Sequence, residues 1–136
     1  MMRGFSIPLI LFAAASIGCN SEPFERGEVA GTVTFGGQPI SKGTITFIPE
    51  DSPGASASTE ISDGKFKLLK QVGPSVGKHR VEILATREGV KKEAGPPHPP
   101  GTMVEVTEQY LPAMYNHQST LQYDVTAGVN EKNFEL

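Results

Sequence analysis

From residue 29 onward, apolar and polar positions alternate in short runs. Val29, Val33 and Phe35 share one parity with Gly31, while Ala30, Thr32 and Thr34 share the other. A period of two is the spacing of a strand with one buried face. Gly36-Gly37 follows as a hairpin or bulge signal, then Gln38-Pro39-Ile40. Ile45 and Phe47 point one way and Thr44 and Thr46 the other, and 49–55 reads as a loop. Runs at 56–62 and 65–69 flank Asp63-Gly64. That dipeptide is favoured in a type I′ turn, whose central residues both take positive φ. Phe66 and Leu68 are predicted inward, Lys65 and Lys67 outward. Farther on, Val81, Ile83 and Ala85 oppose Arg80, Glu82 and Leu84. Leu121, Tyr123 and Val125 point inward, Gly128 marks a turn, and Phe134 and Leu136 point inward. About seven short strands, frequent turns and no long amphipathic helix indicate an all-β chain, an antiparallel β-sandwich over 29–136.

One stretch breaks the rhythm. Residues 87–119 form a long inserted loop, and connections of that length in a small domain are usually functional or partly disordered. The charged run 87–93 is predicted to stay in water. The proline-rich segment 95–101 is predicted extended and clear of the sheets. Val104 and Val106 fit a short edge strand, and 108–111 fits one helical turn stopped by Pro112. Leu111, Met114 and Tyr115 are predicted to fold back onto the sandwich, with Tyr115 as a plug. His98, Tyr110, Asn116 and His117 make up a candidate interaction surface, an aromatic and amide set suited to a sugar or a peptide.

The N-terminus follows a different pattern. Arg3 lies in a short charged start, and 5–15 is an uncharged apolar run. A helix of that length rises about 16 Å, against a hydrocarbon core of roughly 30 Å. Charged start, short apolar centre and small residues before a break make 1–18 a secretory signal peptide. The ending Ser16-Ile17-Gly18-Cys19 resembles the bacterial lipobox, with Ser16 where that pattern carries Leu. The resemblance implies cleavage before Cys19 and acylation of its sulfur. Cys19 is the only cysteine, and an odd cysteine in a secreted chain calls for an explanation. Two or three acyl chains would hold the protein durably on a membrane. Residues 19–28 then read as a polar tether. The expected location is the cell envelope, on its periplasmic or outer face.

Composition narrows the function. The 136 residues carry 12 Lys and Arg against 15 Asp and Glu, a formal net charge of −3. No basic stripe interrupts the mixture, which argues against a nucleic-acid partner. No GxSxG, HExxH or phosphate-cradling glycine loop is present. With the cysteine at the anchor, no Cys–His nucleophile is available. His79, His98 and His117 lack zinc-motif spacing; His79 and His98 read as surface residues. Glu50 and Asp51 read as a solvated loop, since two neighbouring carboxylates are no calcium cage. A non-enzymatic chain without metal or cofactor is expected.

The order of motifs carries a resemblance over nearly all of 19–136. Gly31, Val33, Gly37 and Pro39, then Asp63, Gly64 and Phe66, then Gly77 and Val81, resemble the transthyretin-like carboxypeptidase regulatory domains. With the lipobox, the chain looks like the small transthyretin-like lipoproteins of planctomycete-type bacteria. The resemblance implies a transthyretin-like, immunoglobulin-like sandwich. Hydrolases of 5-hydroxyisourate on that fold end in Tyr-Arg-Gly-Ser, whereas this chain ends Asn133-Phe134-Glu135-Leu136. The expectation is a lipid-anchored interaction or structural module whose partner is an envelope protein or a polysaccharide. The alternative is a small-ligand or metal carrier using the long loop.

Overall fold

The structure, a computed structural model, describes residues 23–89 and 91–136. The predicted signal segment 1–18 and Cys19 lie outside the described residues. The chain forms β1 (Gly27–Phe35), β2 (Gln38–Pro39), β3 (Lys42–Pro49), β4 (Ala57–Ser62), β5 (Lys65–Leu68), β6 (Gly77–Arg87), β7 (Lys91–Glu93), β8 (Met103–Glu105), β9 (Glu108–Gln109), β10 (Gln122–Val125), β11 (Gly128–Glu131) and β12 (Phe134–Glu135). Single 3-10 turns occupy Lys70–Val72 and Ala113–Tyr115. The fold is all-β and sandwich-like: one curled sheet in the order β10-β6-β3-β4-β5-β1-β11, with β2 and β12 on β1, β9 on β6, and β7–β8 as a separate pair.

The curl has a local origin. β3 and β4 pair over six positions, but β4 meets β5 only at Ser62↔Lys65. The two strands then diverge, bridged by the Thr59 hydroxyl, which donates to the Lys67 carbonyl at 3.2 Å. The sheet therefore folds at this hairpin, and the two halves face each other across one core. Alternation supplies that core: Val29, Val33, Ile45, Phe47, Val81, Ile83 and Ala85 are all fully buried. The Phe47 ring packs against Phe66 at 6.2 Å and Phe134 at 6.5 Å. Burying each large side chain contributes about 1.5–3 kcal/mol. At the turn, Asp63 and Gly64 have φ of 50° and 76°, the positive pair that the dipeptide predicts.

Three features depart from the sequence reading. First, the tether does not run to residue 28. β1 starts at Gly27, where Gly27 N–H donates to Pro74 O at 2.9 Å, and Arg26 bridges to Ser75. Second, the C-terminal strands β11 and β12 run parallel to β1 and lie end to end along its edge. They are separated at Lys132, where a Cβ on Gly31 would sit 1.8 Å from the Lys132 carbonyl oxygen. Glycine at 31 thus permits the approach. Parallel pairing also recruits Gly27 and Glu28, opposite Gly128 and Val129.

Third, His79 is fully buried, not on the surface. It shares the parity of Val81, Ile83 and Ala85, so its strand turns it inward. Its Nδ1 donates to Gly77 O at 2.9 Å, and Nε2 lies 3.5 Å from Ser75 Oγ, which in turn sits 3.0 Å from Ser52 Oγ. A buried polar ring needs such partners, because leaving it unpaired costs about 1–3 kcal/mol.

Asn130 is a further buried polar group. It accepts from the Thr126 N–H and hydroxyl, both at 2.9 Å, and from the Tyr123 hydroxyl at 3.3 Å. It donates to Glu28 O at 3.0 Å and Thr126 O at 2.8 Å. One side chain thereby ties the β10–β11 turn to the start of β1. Burial pushes the Tyr123 phenol above its ordinary 10.0, so it stays a neutral donor at physiological pH.

Candidate functional site

β6 has 11 residues and spans about 35 Å at strand rise. It begins beside 73–75, where the start of β1 is bonded, and ends at Arg87 on the far side. The long connection 87–119 therefore emerges from the end of the sandwich away from residue 23.

Its first half is a hairpin. Lys91, Lys92 and Glu93 pair with Glu105, Val104 and Met103. Neither strand pairs with any other described strand. The tip is not extended. His98 N–H donates to Gly95 O and Thr102 N–H to Pro99 O, each at 3.2 Å, so 95–102 is two consecutive turns. Ala94 N–H closes the loop on Thr102 O at 2.7 Å. Gly101 N–H donates to Glu93 Oε1, and the Thr102 hydroxyl to Pro99 O, both at 2.7 Å. Prolines lack N–H donors, yet the donors between and beside them suffice to brace the tip. Pro96, Pro97, His98, Pro99 and Pro100 are all exposed. Val104 lies in a strand as expected, but Val106 falls beyond its end and is 41% exposed.

The second half docks. Residues 108–111 are not a helical turn: β9 pairs with the end of β6, Thr86↔Gln109 and Arg87↔Glu108. Tyr110 N–H donates to Ala85 O at 3.1 Å, and the Gln109 amide bonds both N–H and O of Leu111. The β6 partners Ala85, Thr86 and Arg87 lie far away in sequence, and they outcompete local helix bonds. Leu111 is buried as expected. Tyr115 is half-buried with its ring edge-on to Phe35 at 6.2 Å. Met114 does not fold back; the 3-10 turn Ala113–Tyr115 leaves it 57% exposed.

The four candidate surface residues divide. His98, at the hairpin tip, and His117 are exposed. Asn116 is not a surface residue. It is buried, donating to Pro112 O at 3.1 Å and Leu111 O at 3.4 Å while its Oδ1 accepts His117 N–H at 2.9 Å. Its amide reinforces the 3-10 turn after Pro112, whose carbonyl also accepts the Tyr115 N–H at 3.0 Å. Tyr110 is half-buried: Phe35 lies 6.2 Å from its ring and the Arg87 guanidinium 5.6 Å above it. Arg87 is itself held by Glu108 at 3.2 Å. The ring is thus a packing element at the hairpin's base, not an open stacking platform. Ser119, which no motif marks, is buried with its hydroxyl on Val81 O.

Of the surface grooves, one adjoins this region and another lies apart from it, on β1, β4, β5 and β11. One of about 460 Å³ at the hairpin's base is lined by Ser41, Lys42, Arg87, Glu88, Thr107 and Tyr110. The other, about 600 Å³, is an open trough over Ala30 and Thr32 between Lys65, Lys67, Val129 and Glu131. Neither aligns a nucleophile with a base. Among the described residues no three His, Cys, Asp or Glu side chains converge on a metal-sized site, and no helix is long and apolar enough to cross a membrane. No protein family, characterised protein or solved structure matches the chain.

Proposed function

We propose that this chain is a lipid-anchored, non-enzymatic interaction module of the bacterial cell envelope, of the transthyretin-like type, held by acyl chains on Cys19. The observation that carries the reading is polarity of the fold. The chain enters the sandwich at Gly27, and the β7–β8 hairpin leaves it at the opposite end of β6. An anchor at Cys19 would then hold one end at the membrane and present the hairpin away from it, toward an envelope protein or a polysaccharide. Preorganisation supports the same reading: the tip is braced by its own hydrogen bonds, so little ordering entropy opposes binding.

Cys19→Ala tests the anchor. Fatty-acid labelling in the native host is expected to mark the wild-type protein only, and the variant is expected to leave the membrane fraction or accumulate as precursor. Equal label on both proteins would end the lipid-anchored reading.

A further inference from the structure

We infer that β8 is a homotypic edge: two copies of this chain pair antiparallel through β8, with Val104 facing Val104 of the second copy, to make a four-stranded sheet. The inference rests on the interaction reading and names its partner; it does not depend on the anchor.

A two-stranded hairpin alone is marginal in water, and its free edges are templates for another strand. The two edges here differ. β7 carries Lys91 and Lys92, and lysines are what natural proteins use to guard an edge. β8 carries Met103, Val104 and a single charge, Glu105, and Val106 follows. Met103 is 56% exposed.

Backbone parity selects the register. Ala94 N–H bonds Thr102 O, and the pairs 93↔103, 92↔104 and 91↔105 continue that ladder. Antiparallel alternation then turns the Val104 N–H and C=O toward β7, and those of Met103 and Glu105 outward. Three twofold registers could use these outward groups. Centring on Glu105 sets two carboxylates opposite each other, which is unfavourable. Centring on Met103 brings Glu105 beside Gly101, whose N–H is already given to Glu93. Centring on Val104 pairs Met103 with Glu105 of the second copy, and every outward N–H of both residues finds a carbonyl. Each carboxylate then faces a methionine. Val104 and Val106 of both copies gather on one face, covering the apolar surface that Val106 exposes. The patch is self-complementary, as a closed dimer requires.

The test uses the intact chain in detergent, with mass read by light scattering across a dilution series. A dimer is expected. Met103→Glu sets like charges opposite each other twice and is expected to weaken it roughly tenfold; adding Glu105→Lys to that variant restores opposite charges and should recover it. Glu105→Pro removes an outward N–H without touching the β7–β8 bonds and should abolish the dimer, whereas Lys91→Pro, its counterpart on the β7 edge, should not. Melting temperatures close to wild type would show that each variant folds. A monomer at every concentration, or a dimer indifferent to Met103→Glu and Glu105→Pro, overturns the inference. Because mass in detergent is read independently of acylation, failure here and failure of the anchor remain separate results.

Discussion

The β4–β5 and β7–β8 hairpins are one motif in opposite settings. In the first, Asp63-Gly64 makes a two-residue turn, its N–H groups donate to Ser41 O at 3.0 Å and Ile40 O at 2.7 Å, and Phe66 and Leu68 enter the core. In the second, the strands are mostly exposed, pair with no other described strand, and are closed by a proline-rich tip that bonds to itself. Slipping the first by one residue would turn Phe66 and Leu68 into water, so burial holds its register. No comparable burial holds the second. Its register rests on the Ala94–Thr102 closure and the Glu93–Gly101 bond, and its backbone edges stay open. The sandwich is therefore the stable element and the hairpin the available one.

Three changes would break or sharpen this contrast. The largest effect belongs to the core that both sheet halves share. Phe47→Ala removes a fully buried ring packed on Phe66, His79 and Phe134. It is expected to lower unfolding free energy by about 3–5 kcal/mol, measured by urea titration; a loss below 1 kcal/mol would mean the halves are not joined through this ring. Next comes the tight turn. In Gly64→Val a β-branched residue must hold φ near 76°, with its Cβ 2.7 Å from Pro39 Cβ. A cost of about 2 kcal/mol is expected, and an unchanged melting temperature would contradict the positive-φ turn. The smallest effect is expected at the free hairpin. Replacing 95–101 with Asn-Gly keeps Ala94 opposite Thr102 and should change stability by less than about 0.5 kcal/mol, while the dimer mass is retained. A large loss would show the tip supporting the sandwich.

The alternation of the chain by itself determined the all-β fold, the inward faces of β1, β3, β5 and β6, and the Asp63-Gly64 turn. Those are local facts, because a strand's two faces and a turn's φ values are properties of adjacent residues. Even the burial of His79 was written in its parity with Val81; a polar ring merely looked out of place there. Part of the candidate site was also legible: the break in rhythm at 87, the exposure of His98 among prolines, the strand at Val104.

What only the tertiary structure decided has one physical origin: a polar group's position depends on the backbone that comes to meet it. Asn130 is buried because it reaches Glu28 O, 102 residues away. Gly27 and Glu28 join the fold because β11 lies beside them, and Glu108 and Gln109 become strand because the end of β6 offers its edge. The open edge of β8 is of the same kind, since which carbonyls point outward follows from its pairing with β7 and not from its side chains.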